Sequence, residues 1–392
     1  MITLQSAENA LKTVYLGAVT ELLNTKSNPL LARIEQTTAD VWGKEIKTAA
    51  RAGIVGGIGA GDETGELPKA AASKYVQFTA TLKNLYGQIE ISDKAIRASA
   101  GGKGAFTDIL NAELEGLLSA SKFNLGRMLY GDGSGELTRI SDTVGGFNYA
   151  DDPQNLIEGM VVDIYCGNEL IMAGAVVKHV MRETDYIKLQ APEGHSVDEI
   201  PTDSSLFVQG SRGKEITGLG ALFDSAKPLY GNNRSDVPFL APYRQAIPAG
   251  KLDEIVLQKA MDSVERHAGV PINFIAVSAE AKYAYQEYMA QYKRNIDMME
   301  LDGGYKTMSY NGIPLVYDRF IKKGVLYLLD TGAFKMHQLC DWRYLENENG
   351  KILRQTQGRP TYTATLVKYC DLVCNRPNGQ AMLTGVLRDN LS

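Results

Sequence analysis

The sequence has little cysteine, little histidine and no excess of positive charge. Its four cysteines, Cys166, Cys340, Cys370 and Cys374, are too few for a disulfide scaffold, and synthesis under reducing conditions is the simpler reading. Cys370 and Cys374 lie in one apolar, strand-like run. Only His337 and Cys340 come near them in sequence, so the pair reads as buried core thiols rather than part of a metal site. The four histidines, His179, His195, His267 and His337, match no metal-binding spacing and read as structural or surface residues. His267 ends a helix, where the dipole favours a cation. With a formal net charge of −5 and no basic stripe, the chain lacks what tight DNA or RNA binding requires. No apolar run approaches membrane-spanning length, and Met1-Ile-Thr-Leu carries no basic leader, so a product made and kept in a cytoplasm is expected. Internal repeats and low-complexity tracts are missing too.

Motifs for chemistry are equally scarce. No Gly-Lys-Ser/Thr follows the glycine-rich run, so there is no phosphate loop. Gly57-x-Gly59-x-Gly61 has Asp62 where a dinucleotide site needs its third glycine. It also leads into an acidic segment rather than a helix N-terminus. Asp132-Gly-Ser-Gly-Glu136 lacks the ligand series of a calcium loop and reads as a helix-terminating turn, with Gly131 as left-handed cap and Asp132 capping the next turn. Gly133-Ser-Gly135 stands after a helix, the wrong setting for a nucleophile elbow. No cofactor, metal or catalytic residue is expected, and the chain does not read as an enzyme.

What is present is ordinary globular composition, 44% hydrophobic and 22% charged, in a chain long enough for two or three domains. The most informative stretch runs from Gly43 to Gly135. Lys44 to Arg51 alternates weakly. Tyr75 to Leu82 alternates cleanly, with Val76, Phe78, Ala80 and Leu82 facing one way. Between these flanks lie Gly53-Ile-Val-Gly-Gly-Ile-Gly-Ala-Gly61 and Asp62-Glu-Thr-Gly-Glu-Leu-Pro68. The pattern predicts a long two-stranded hairpin with an acidic tip, marginal in isolation and in need of a partner surface. Such a tongue is either a lid over an active site or an arm lying on a neighbouring molecule.

Elsewhere, residues 5–24 read as an amphipathic helix broken by Asn28-Pro29. Ile89 and Ile91 suggest a short strand, and Ser92 can cap a short helix through Ser99. From Phe106, residues Leu110, Leu114, Leu117, Leu118, Leu125, Met128 and Leu129 form one stripe of a helix roughly 36 Å long. Gly116 and Gly126 inside it suggest that another backbone passes close by. Residues 150–215 read as a small all-β module, with strands at Met160–Cys166, Leu170–Met181, Tyr186–Leu189 and Leu206–Val208. A mixed pattern follows: a helix over Lys251–His267, a strand at Phe274–Val277, a tyrosine-rich helix capped by Ser278, then strands at Ile313–Tyr317, Val325–Leu329, Thr363–Cys374 and Ala381–Leu387.

This order of parts resembles the major capsid proteins of tailed bacteriophages with the HK97-like capsid fold. The resemblance is carried by the glycine-rich tongue, Leu82-Lys-Asn-Leu-Tyr-Gly-Gln-Ile-Glu-Ile-Ser92, Asp93-Lys-Ala-Ile-Arg-Ala-Ser99, the long helix ending at Tyr130-Gly-Asp-Gly-Ser-Gly135, and Gly218-Leu-Gly-Ala-Leu. It implies an α+β fold with an N-terminal arm (1–42), an extended hairpin loop (43–83) and a peripheral domain with a spine helix (84–149). An inserted small β-domain (150–215), a return to the peripheral domain (216–250), an axial domain with connecting strands (251–360) and C-terminal strands closing the core (361–392) come after these. The implied function is a structural shell of hexamers and pentamers that encloses phage DNA without sequence-specific binding, and a mildly acidic shell suits that task. Its partners would be further copies of itself, a separate scaffold protein, a portal and a decoration protein. Its place would be the virion, after synthesis in the host bacterial cytoplasm. Inter-subunit contact is expected at the hairpin tip, through Gly56, Gly57, Asp62, Glu63, Glu66, Pro68 and Lys69. A loop lysine, Lys69 or Lys74, joined to a neighbour's asparagine is imaginable on the resemblance alone. The rival readings are an encapsulin-like nanocompartment shell, an α/β enzyme with a glycine-rich lid, and an adhesin or carbohydrate-binding protein built on the β-rich module.

Overall fold

The structure is a computed structural model that describes residues 28–53, 56–66, 68–94, 105–144, 147–247, 251–292, 298–301, 305–346 and 350–386. The expected helix over residues 5–24 and most of the short helix after Ser92 lie outside these. The described chain is a mixed α+β fold with three separate apolar cores.

The central sheet is built on the long strand Thr361–Cys374. One side of it pairs with Phe334–Tyr344, which in turn takes Glu35–Thr37 as a parallel neighbour. The other side pairs with Lys83–Ser92 over ten residues. That strand is longer than Ile89 and Ile91 alone suggest, because its outer positions Asn84, Tyr86, Gln88 and Glu90 are exposed and dilute the apolar signal. Its inner face, Leu85, Ile89 and Ile91, lies in the main core together with the long helix α1 (Ala105–Tyr130). Alpha-helical rise gives α1 a length of about 39 Å. Gly87 lets the helix approach the strand: a side chain there would meet Leu117 Cδ1 at 2.7 Å.

The two glycines inside α1 do not accommodate a crossing backbone. Gly116 faces open space, and Gly126 makes room for the ring of Phe320. Backbone approach occurs at the helix foot instead. Gly218 and Gly220, flanking the first turn of the short helix α2 (Leu219–Phe223), sit against the last carbonyls of α1 and the peptide of Gly131. The turn after α1 also differs in detail. Gly133 and Gly135, both at φ +81, take the left-handed conformation rather than Gly131. Asp132 does cap the turn, accepting from Ser134 N at 3.0 Å.

Directly after this turn the chain closes a six-stranded barrel, in the order Tyr186–Gln190, Phe147–Ala150, Glu136–Val144, Ser205–Val208, Val161–Cys166 and Glu169–Met181. Glu136–Val144 carries the polar run Ser141-Asp-Thr143, which hid it as a strand. Closure supplies its partners on both edges. The barrel has its own apolar interior around Ile140, Val162, Ile164, Val177, Ile187 and Leu206. The chain leaves next to where it came in: Gly213 N donates to Ser134 O at 2.7 Å. A buried ion pair lies close by. Arg127 of α1 donates from both terminal nitrogens to Glu215, at 2.9 and 2.6 Å, with each side chain 3% exposed.

The remainder forms a seven-stranded sheet, ordered Tyr243–Ala246, Ala381–Thr384, Leu326–Leu329, Phe274–Val277, Ile313–Tyr317, Tyr305–Tyr310 and Met298–Leu301. Helix α3 (Glu254–Ala268) packs its Leu257, Ala260 and Val264 stripe into this layer's core. Asp253 caps it by accepting from Val256 N at 2.7 Å, and Gly269 ends it at φ 64. Helix α4 (Ala279–Tyr292) starts where Ser278 Oγ accepts from Ala281 N. Cys370 and Cys374 are fully buried, and burial pushes the Cys370 thiol up to about 12. Among the described residues no helix is long and apolar enough to cross a membrane.

Candidate functional site

The tongue forms a ribbon with two different halves. Its lower half pairs Glu45–Arg51 with Tyr75–Thr81, from Glu45 opposite Thr81 to Arg51 opposite Tyr75. The inward positions Ile46, Thr48, Ala50, Val76 and Phe78 are buried, so period-two alternation puts one whole face on the body of the subunit. A third short strand, Val41–Trp42, borders it and leaves Trp42 70% exposed.

Tyr230 pins this base in place. Its ring lies 5.2 Å from that of Phe78, and its carbonyl accepts from Thr79 N at 3.0 Å. Its hydroxyl donates to Leu372 O at 3.2 Å and accepts from Cys374 N at 3.0 Å, reaching the central strand. Burial pushes the Tyr230 phenol well above its ordinary value, with the nearby Cys374 thiol adding to it. Asn232 Nδ2 donates to Gln77 O at 2.8 Å. Sequence reasoning does not pick out Tyr230. The only local signal is the turn chemistry of Gly231-Asn-Asn233 after it.

The upper half projects away from these contacts. Ala52 N donates to Lys74 O at 2.8 Å, and Gly56 bridges Ala71 across the ribbon. The glycines here serve close approach. A side chain on Gly56 would meet Ala71 Cβ at 2.6 Å. On Gly57, which has φ +90, it would meet Lys69 O at 2.9 Å. Gly59 faces Pro68 in the same way. The ribbon thus stays narrow towards a turn at Asp62–Gly65, closed by Gly65 N donating to Asp62 O at 3.0 Å.

The structure therefore brings the expected tip residues together along one projecting element. Gly56 and Gly57 lie on the outgoing arm, Asp62 and Glu63 at the turn, and Glu66, Pro68 and Lys69 on the return. Apart from partly covered Gly56, all are exposed, and Ile58 is 85% exposed between them. Three carboxylates and the exposed Ile58 side chain on a thin ribbon suit docking on a surface better than acid–base work, which needs rigid walls. Two clefts, of about 680 and 460 Å³, open elsewhere, and no residue from 53–69 lines either. The tongue is thus not placed as a lid over them. Among the described residues no group of three or more His, Cys, Asp or Glu side chains could hold a metal.

No family model matches the sequence, and no curated protein matches it. Solved structures do match in fold. The capsid asymmetric unit of cyanophage A-1(L) superposes with a TM-score of 0.55 at 15% identity, covering 96% of this chain and 94% of that one. The holo-SrpI encapsulin complex from Synechococcus elongatus PCC 7942 matches at 0.49 and 11%, covering 93% and 90%. The satellite phage P4 procapsid, solved with its size determination protein, matches at 0.43 and 9%, covering 95% and 98%. The chain thus shares its fold with the cyanophage A-1(L) capsid protein over nearly its whole length.

Proposed function

We propose that this chain is a major capsid protein, which self-assembles into an icosahedral shell enclosing phage genomic DNA. The observation that carries the reading is the tongue. Its base is buried on its own subunit, while Asp62, Glu63, Glu66 and Ile58 of its upper half are exposed. A narrow ribbon of that kind gains stability by lying on a neighbour. The cyanophage capsid likeness supports the setting, because the whole chain follows that fold.

In this reading residues 1–42 are the arm, 43–83 the extended loop, and 84–149 with 216–250 the peripheral domain around α1 as spine, except that the strands Glu136–Val144 and Phe147–Ala150 belong to the barrel. Residues 251–360 are the axial domain, 361–392 close the core, and the barrel is a surface module set into the peripheral part. Each contact is modest, and a closed lattice adds many of them cooperatively. Gly56, Gly57, Asp62, Glu63, Glu66, Pro68 and Lys69 make the contact between copies in hexamers and pentamers. A separate scaffold, a portal and a decoration protein complete the partners, and the finished protein resides in the virion. The shell holds DNA without gripping it, in keeping with the net charge of −5.

Electron microscopy of the purified protein tests this. Icosahedral particles, tubes or capsomers are expected, and a population of small discrete species alone would overturn the reading. Particles from infected cells are expected to contain DNA; particles filled with an enzyme instead would identify a nanocompartment.

A further inference from the structure

Charge is segregated along the tongue. Its base, residues 40–52 with 74–82, carries four cations, Lys44, Lys47, Arg51 and Lys74, against Asp40 and Glu45. Its outer half, residues 53–69, carries Asp62, Glu63 and Glu66 against Lys69. All these side chains are exposed except partly covered Glu45, which pairs with Lys47 at 3.0 Å. Among the described residues no other carboxylate pairs with a base cation, and no cation pairs with the three tip carboxylates.

The base also shows large side chains on its outer face. Ile46, Thr48 and Ala50 point into the subunit, so Lys47, Ala49 and Arg51 point away from it. Trp42 stands opposite Glu45 and is 70% exposed, and Tyr75 stands opposite Arg51 and is 61% exposed. Exposed tryptophan, tyrosine and arginine on one face are the residue types that anchor contacts between proteins. The outer half offers the counterpart, with Ile58 85% exposed on the same projecting ribbon as the carboxylates.

A tip is out of reach of its own base. The ribbon continues outward with Gly56 opposite Ala71 and Gly59 close to Pro68. At strand rise, the turn at Asp62 lies up to roughly 36 Å from Arg51. The basic, aromatic face that matches the tip is therefore found on another copy.

We infer that the tip of each tongue lies on the outer face of the next copy's tongue base, with its carboxylates against Lys47 and Arg51 and Ile58 against Trp42 and Tyr75. The inference rests on the shell reading and names the surface that receives the tip. Two different patches meet, so the contact runs head to tail and can close a ring. Opposite charge brings the two patches together and sets their register, while the apolar side chains hold them.

Charge reversal tests it, read by electron microscopy and circular dichroism. Asp62→Lys, Glu63→Lys and Glu66→Lys reverse the tip; Lys47→Glu, Arg51→Glu and Lys74→Glu reverse the base. Each set alone is expected to lower particle yield at least tenfold without changing the circular dichroism of the subunit. Both sets in one chain restore the match, and a yield within twofold of the unaltered chain is expected. A base-reversed chain that assembles normally overturns the inference. So does a combined chain that stays unassembled although each set alone leaves the subunit folded. If the unaltered chain forms no particles, the shell reading falls and takes the inference with it. A second readout serves if a reversed chain does not fold. Ala49→Cys and Glu63→Cys in one chain, oxidised after assembly, are expected to give a ladder of covalent multimers on a denaturing gel, and either substitution alone none. Assembled particles that yield no ladder count against the contact.

Discussion

Tyr230 shows how one side chain can fix an element far away in sequence. Its hydroxyl ties two backbone groups of the central strand, while its carbonyl and ring hold the hairpin base. Tyr230→Phe keeps the ring and removes the hydroxyl, leaving Cys374 N without an acceptor. A loss of about 1–3 kcal/mol in unfolding free energy is expected by chemical denaturation. Asp371 is a second such residue. Its carboxylate accepts from Thr217 N at 2.6 Å, Thr217 Oγ1 at 3.0 Å and Leu372 N at 2.9 Å. Burial outweighs these bonds and pushes the carboxyl up to about 6, from an ordinary value of 3.8. The folded value is the higher one, so the favourable contribution is complete below 3.8 and is lost as pH rises through about 6. Subtracting the stability of Asp371→Asn at each pH cancels the other groups. The difference is expected to shift against the unaltered protein by up to roughly 3 kcal/mol across that window. A flat difference would refute it.

At the scale of elements, α1 is held from three sides: the strand at Gly87, the ring of Phe320 at Gly126, and the segment after the barrel. The third contact rests on the Arg127–Glu215 pair, which is buried and bidentate. Breaking a buried pair strands a charge, so Glu215→Gln is expected to cost about 3–5 kcal/mol, read as a lower denaturation midpoint. The same elements show what a sequence reveals. The stripe Leu117, Leu118, Leu125, Met128 and Leu129 announces the helix, and Val76 with Phe78 announces the hairpin, because each buries one regular face. Glu136–Val144 gives no such signal, since a barrel strand gets its partners through closure and tolerates polar outward positions. The foot of α1 misleads for a related reason. Propensity points to Gly131, whereas the neighbouring backbone sets the conformations of Gly133 and Gly135. Tyr230 is illegible in sequence, as its partners lie some 140 residues onward.

On the scale of the whole molecule, three cores divide the work. Among the described residues the tongue joins the main core through its base, and none from 56–66 belongs to any of the three cores. Removing residues 53–68 is therefore expected to leave a soluble, folded subunit with a near-native circular dichroism spectrum that forms no particles. An unfolded product would count against the ribbon as an intermolecular arm. The tip residues are legible as a group, since only glycine and small residues let two backbones run so close. In the proposed reading what they touch belongs to a neighbour, and such a contact cannot be written in one subunit's own pattern.

The barrel's two ends meet at the hydrogen bond from Gly213 to Ser134, as the two posts of a doorway do. A domain with a self-contained interior and adjoining ends can be exchanged as a cassette. Replacing residues 136–210 with a foreign domain of similarly close termini should leave the rest of the subunit folded and, if the subunit builds the proposed shell, turn each particle into a dense display scaffold for antigens or enzymes.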